Sequence, residues 1–156
     1  TSERVNEDLF DIPSVKWSGA RVVGLFGGSG NLGIEFLSRG ADFVHFNDIS
    51  RGSIAVLNKN LARLRGEKYS VTVGDWSQCL NTLRGRFDLI FIDPPYADDC
   101  GIYALRSVAE KTLLNSGGVA VYERDRAFSG GIEGLDKFDE RKYGKTYLTF
   151  FRPSGE

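Results

Sequence analysis

The residues best suited to chemistry lie in the stretch FDLIFIDPPYADD, Phe87 to Asp99, where an apolar run stops at an acid, two prolines and a tyrosine. An exocyclic amino group on a nucleobase is a poor nucleophile because its lone pair is delocalised into the ring. Two acceptors that take both of its N–H bonds favour a pyramidal nitrogen whose lone pair points outward. Asp93 supplies a carboxylate for this and Pro94 a backbone carbonyl, and the fixed φ of Pro94 and Pro95 aims them. Tyr96 offers an aromatic face to a base drawn out of its stack. The catalytic candidates are therefore Asp93, Pro94, Pro95 and Tyr96, and the chemistry they suit is methyl transfer to an exocyclic amine. A plain strand-ending Asp-Pro-Pro turn would need neither the aromatic partner nor a cofactor loop upstream.

Such a loop is present. In RVVGLFGGSGNLGIEFLSRGA, Gly28, Gly30 and Gly33 satisfy G-x-G-x-x-G between an apolar run and a helix-like pattern. Missing side chains let the backbone approach a ligand, and the helix N-terminus faces it. Asp48, at the end of the next apolar run, has the reach to accept from two ribose hydroxyls. The candidate contacts to a nucleoside-containing cofactor are Phe26, Gly27, Gly28, Ser29, Gly30, Asp48 and Ile49, with Asp93 shared between cofactor and acceptor. Loop and acid alone suit a nicotinamide dinucleotide and S-adenosylmethionine equally. Asp75 and Trp76 are candidates for an adenine, the acid accepting from its amino group and the indole lying near its face. A polar strand end followed by a core tryptophan would look the same.

These residues need elements to position them. The apolar run Val22 to Phe26 predicts a strand, and Leu32, Phe36 and Leu37 a helix after the glycines. DFVHFND predicts a second strand, then a helix capped by Ser50, carrying Ile54, Leu57, Leu61 and Leu64, and ended by Gly66. YSVTVGDW predicts a third strand ending at Asp75 and Trp76, SQCLNTLRG a short helix, and RFDLIFID a fourth strand buried on both faces. Tyr103 to Leu114 reads as a helix, GGVAVYER as a fifth strand, and DKFDERKYGKTYLTFF as a hairpin about Tyr143-Gly144. This alternation implies an α/β fold of Rossmann type: a mostly parallel, twisted sheet, helices on both faces, and a C-terminal antiparallel hairpin at one edge. The glycine loop, Asp48, Asp75 and Asp93 all fall at carboxyl ends of strands, where such sheets bind ligands.

With 156 residues, the chain has the length of one domain, large enough for a core without disulfides. No apolar run approaches the roughly 20 residues that span a bilayer. Cys79 and Cys100 lack metal-ligand spacing and read as reduced cytosolic thiols, Cys100 as a bystander near the site; no metal is required. His45 lies inside a strand without a nucleophile or second ligand and reads as a core or cross-strand residue. The 20 Lys and Arg nearly balance the 21 Asp and Glu, which argues against tight autonomous RNA binding. Arg124, Arg126, Arg141 and Lys142, with Lys145, form a candidate basic rim for RNA, or scattered surface charge. The chain opens at Thr1 and holds no methionine, so an initiator and a preceding segment are expected to be missing.

The sequence resembles the bacterial guanine-N2 methyltransferases of small-subunit ribosomal RNA, the RsmD family. The likeness covers nearly the whole chain and rests on SERVNEDLF, LFGGSGNLGIEFLSRGA, NKNL, DLIFIDPPY, VAVYER and YGKTYLTFF. It implies a class I methyltransferase fold over a single domain, 1–156, with S-adenosylmethionine as donor. The implied acceptor is a guanine amino group of 16S ribosomal RNA in a small-subunit assembly intermediate, and the enzyme is expected to be cytoplasmic and monomeric. Carried onto this chain, Gly28 and Gly30 border the methionine portion of the cofactor, Asp48 its ribose, Asp75 its adenine, and Asp93 to Tyr96 the target base. Two departures stand out. The family has an acid where this chain has Gly24, and a basic N-terminal extension ahead of SERV that is absent here, which implies a catalytic pocket with impaired RNA binding. Rival readings are an adenine-N6 methyltransferase, a nicotinamide-dependent oxidoreductase and a non-catalytic RNA-assembly factor.

Overall fold

The computed structural model describes residues 9–12, 16–27, 30–64, 68–94 and 99–156. Its elements are β1 (Arg21–Gly24), α1 (Gly30–Ser38), β2 (Phe43–Asp48), α2 (Arg51–Leu61), β3 (Tyr69–Val73) and α3 (Trp76–Thr82). They continue with β4 (Phe87–Ile92), α4 (Cys100–Glu110), β5 (Leu114–Arg124), β6 (Leu135–Tyr143) and β7 (Thr146–Pro153). The strands form one seven-stranded sheet in the order β3-β2-β1-β4-β5-β7-β6. Pairings from β3 to β5 are parallel, and β7 inserts antiparallel between β5 and β6. The chain runs outward from β1 to β3 and then restarts on the other side of β1 at β4, so the sheet has its switch point between β1 and β4.

Continuous apolar runs bury both faces. α1 and α2 cover one with Leu32, Phe36, Leu37 and Leu61 against Val22, Val44, Phe46 and Phe91. α3 and α4 cover the other with Cys79, Leu80, Ala104, Leu105 and Val108 against Val23, Ile90 and Ile92. Leu9 and Phe10 join the first core, the Phe10 ring lying 4.8 Å from that of Phe36. The polar exception in β4, Asp88, pins both neighbours: Oδ2 accepts from Arg21 N–H at 2.9 Å and Oδ1 from Asn115 Nδ2 at 3.1 Å. No helix among the described residues is long and apolar enough to cross a membrane.

Several boundaries differ from expectation. The third strand stops at Val73 because Asp75 and Gln78 form a capping box that starts α3 at Trp76. α4 begins at Cys100, ahead of Tyr103, and ends at Glu110. Thr112, in the left-handed region at φ 53°, turns the chain so that β5 begins at Leu114 rather than Gly117. Ser50 caps α2 as expected, accepting from Ser53 N–H at 3.2 Å, but that helix ends at Leu61, and Gly66 lies outside the described residues. At the β6–β7 turn Gly144 takes φ 62°, a conformation that favours glycine.

His45 is a buried cross-strand residue, its Nδ1 bonded to Ser70 Oγ and its Nε2 to Thr72 Oγ1 across the β2–β3 pairing. Burial lowers its pKa to about 4, so the ring is neutral near pH 7. No disulfide joins Cys79 and Cys100, and burial pushes the Cys79 thiol up to about 11.

Candidate active site

The site is built where β1, β2 and β4 end side by side. Gly24 pairs with Phe91, and Leu25 N–H donates to Phe91 O at 3.1 Å. Phe26 and Gly27 therefore step over the sheet end beside Asp93 and Pro94, which leave β4 half-buried. Gly28 and Ser29 of the loop, and Pro95 and Tyr96 of the acceptor motif, lie outside the described residues.

Asp48 closes β2, and its Oδ1 accepts from Ser50 N–H at 3.0 Å, which fixes the carboxylate at the start of α2. The glycines around it have separate reasons to be glycine. A Cβ on Gly33 would run into the Phe46 ring, so this glycine lets α1 lie close on β2. A Cβ on Gly27 would run into the Asp48 carboxylate, so this one lets the loop touch the acid. At Gly30 a Cβ would meet only Leu57 Cδ1, at 3.7 Å.

Between loop, Asp48 and helices lies a cleft of about 370 Å³. Gly24, Phe26, Gly27, Gly30 and Asp48 line one end, and Asn31, Ser53, Val56, Leu57 and Asn60 line it along α1 and α2. Gly24 contributes backbone alone where the family resemblance expects an acid. Ile49 follows Asp48 and is 73% exposed, a large apolar side chain left bare next to the cleft. Asp93 stands outside the lining of this cleft, at the neighbouring strand end.

Asp75 and Trp76 also stand outside it. Asp75 Oδ1 accepts from Gln78 N–H at 2.9 Å and Ser77 Oγ at 2.7 Å, and these bonds hold its pKa below the usual carboxylate value. Trp76 packs beneath, partly buried, against the second core. One carboxylate oxygen of Asp75 is thus committed to the helix cap.

Sequence reasoning missed Asn47. Its side chain is 4% exposed; Nδ2 donates to Leu25 O at 3.2 Å and Gly74 O at 3.0 Å, and Oδ1 accepts from Thr72 Oγ1 at 2.7 Å. One amide thereby ties together the ends of β1 and β3 on either side of Asp48. The available signal was an amide inside the otherwise apolar run FVHFND.

The basic candidates divide. Arg124 Nε and Nη2 donate to the carbonyls of Arg126 and Ala127, at 3.1 and 2.6 Å, and the guanidinium stacks on Tyr122 and Phe128. Arg141 pairs with Asp139 at 3.1 Å. Arg126, Lys142 and Lys145 are exposed.

Residues 1–152 match the family described as conserved hypothetical protein 95. The YlbH protein of Bacillus subtilis (strain 168), provisionally named an rRNA methyltransferase, is 35% identical over 99% of this chain and 88% of its own. The ribosomal RNA small subunit methyltransferase D of Haemophilus influenzae is 30% identical over 81% of this chain and 67% of its own. The solved structure of Escherichia coli yhhF, provisionally titled a methyltransferase, superposes with a TM-score of 0.88 at 22% identity, over 100% of this chain and 89% of its own. The sheet order and this superposition give the class I methyltransferase fold, and the match over residues 1–152 and the YlbH alignment give the lineage: the chain belongs to the RsmD family of methyltransferases.

Proposed function

We propose that the chain methylates the exocyclic N2 of a guanine in small-subunit ribosomal RNA, using S-adenosylmethionine and acting as a cytoplasmic monomer on an assembly intermediate. The observation that carries this reading is the exit of Asp93 and Pro94 from β4 beside Phe26 and Gly27, whose loop walls the cleft with Asp48. Membership of the RsmD family supports it, as do relatives named for small-subunit rRNA methylation.

The residues fit the cofactor. A glycine that yields its Cβ space to Asp48 leaves a carboxylate next to bare backbone, the donor-acceptor set a ribose needs. Asp48 holds the ribose hydroxyls, Phe26 and Gly27 with Gly28, Ser29 and Gly30 border the methionine portion, and Ile49 covers the purine. Asp75 accepts from the adenine amino group with the oxygen its cap leaves, and the Trp76 indole lies near the face of that adenine. S-adenosylmethionine, when bound, supplies an electrophilic methyl group. Asp93 and the Pro94 carbonyl accept the two N–H bonds of the guanine amine and turn its lone pair out of the ring. Pro94 and Pro95 restrict the backbone, and Tyr96 stacks on the extracted base.

The test is label transfer from methyl-labelled S-adenosylmethionine to immature small subunits, followed by digestion to nucleosides. Label in N2-methylguanosine is expected. Label in N6-methyladenosine, or none in RNA, overturns the assignment.

A further inference from the structure

The β5–β7–β6 end of the sheet sorts the basic residues by face. Arg124 pairs with Tyr147, and Tyr147 with Lys142, so the three side chains form one row across three strands on one face. Lys142 Nζ lies 5.5 Å from the centre of the Tyr147 ring. Arg141 pairs with Leu148, one position along, and so belongs to the opposite face, where Asp139 holds it. The row sits at the carboxyl end of β5, the end of the sheet at which β4 releases Asp93.

The surroundings of the row are fastened. Arg124 holds the carbonyls of Arg126 and Ala127, Glu140 accepts from Phe128 N–H at 2.9 Å and Thr149 Oγ1 at 2.7 Å, and Lys137 Nζ donates to Phe128 O at 3.2 Å. The Phe128 ring stands edge-on to Phe151 at 5.1 Å and to Tyr122 at 6.4 Å. The carboxylate on this face, Glu140, is therefore occupied by inward partners, and Arg126 rides on a loop held on both sides. Outward along the row stand Lys142, exposed, and Tyr147, half-buried, and on the adjoining loop Arg126 and Asp125 are both exposed. A cation beside an aromatic face, with no outward carboxylate in the row, complements a single RNA strand, whose phosphates need charge and whose bases need a stacking surface.

We propose that Tyr147 and Lys142, aligned with Arg124 across β5, β7 and β6, grip the RNA strand beside the target base, with Arg126 on the fastened loop and without Arg141. Arg124 acts here as a positioning residue, because its donors already hold that loop. The proposal rests on the RNA-methylating reading above.

The test compares Lys142→Ala, Tyr147→Ala, Tyr147→Phe and Arg141→Ala, measuring KM for immature small-subunit RNA, kcat, the salt slope of RNA binding, and S-adenosylmethionine affinity. Lys142→Ala should raise the RNA KM about tenfold and lower the salt slope by about one. Tyr147→Ala should raise it about tenfold with the slope unchanged, and Tyr147→Phe should restore it. Arg141→Ala should bind RNA as the unaltered chain does, and cofactor affinity should stay constant throughout. Equal losses from Arg141→Ala and Lys142→Ala, or unchanged RNA binding in the Lys142→Ala/Tyr147→Ala double variant, would overturn the proposal. An unaltered chain that binds S-adenosylmethionine but no ribosomal RNA would overturn the functional reading and this inference with it.

Discussion

Gly27 and Asp48 touch so closely that a methyl group on the first would occupy the space of the second's carboxylate. The contact is between a loop and the tip of a short, partly exposed side chain, so the fold can relieve a clash by swinging Asp48 aside. Gly27→Ala is accordingly expected to weaken S-adenosylmethionine binding by about tenfold or more while the unfolding free energy changes by less than about 1 kcal/mol. Calorimetric titration beside a urea melt separates the two quantities. Unchanged cofactor affinity would remove Asp48 from the site.

Gly33 meets the opposite constraint. Its neighbour is the Phe46 ring, 1% exposed at the centre of the first core, and that ring cannot swing out. Gly33→Ala should cost about 1 to 3 kcal/mol in overpacking and lower the melting temperature. At temperatures where the variant is folded, its cofactor affinity should stay near that of the parent. A stable Gly33→Ala protein would show that α1 does not need its close approach to β2.

Asn47 makes a test of geometry through charge. Its Nδ2 faces the carbonyl oxygens of Leu25 and Gly74, so Asn47→Asp sets a carboxylate against two acceptors, whereas Asn47→Ala only leaves them unpaired. Alanine should cost about 1 to 3 kcal/mol and aspartate more, with the aspartate deficit shrinking as the pH falls and the new carboxyl protonates. Melts at pH 7 and pH 4.5 check the order and its narrowing. Equal stability of the two variants would mean that the amide is not the tie between β1 and β3.

His45 gives the fold a pH dependence whose sign follows from its environment. Burial lowers its pKa from 6.5 to about 4, so the unfolded chain takes up a proton that the folded chain refuses. Stability should be full above about pH 6.5, fall as the pH drops toward 4, and level off below. The loss reaches about 2 kcal/mol by pH 5 and about 3 kcal/mol in all. His45 is the single histidine of the chain, so the window from pH 5 to 7.5 isolates it. Urea melts across that window should slope for the parent and flatten for His45→Leu; the same slope in both would assign the proton uptake elsewhere.

The parts of this architecture that were legible in sequence are those encoded locally. The apolar run of β4 announces a strand buried on both faces, and Ser50 announces the start of α2 because a cap and its amide lie three residues apart. Asp75 shows the limit of local reading. A short acid between a strand and a helix suits a ligand and an N-cap equally, and only the bonds to Ser77 and Gln78 reveal the cap. The Gly27–Asp48 contact joins the loop after β1 to the end of β2, so no spacing rule announces it. Arg141 and Lys142 looked equivalent for a further reason. Strand alternation puts them on opposite faces of β6, but which of the two faces lies beside Arg124 is set by the pairing of β7 with β5, a partner distant in sequence.

Asp93 carries the heaviest chemical assignment, and two substitutions separate its parts. Asp93→Ala removes the acceptor; Asp93→Asn keeps one oxygen but turns a donor toward an amine that is itself a donor. If the carboxylate acts on the attacking nitrogen, each should cut single-turnover methyl transfer about 100-fold or more, the order of magnitude for removing one preorganised hydrogen-bonding group from a reacting centre. Because the cleft is lined by Gly27 and Asp48 and not by Asp93, cofactor affinity should change by less than about threefold, under about 1 kcal/mol. Transfer measured from labelled S-adenosylmethionine to immature small subunits, beside a binding titration of the same preparations, reads both. Turnover by Asp93→Ala equal to the parent's would refute the role. A matched collapse of binding and turnover would make Asp93 a cofactor ligand and leave the amine to another acceptor.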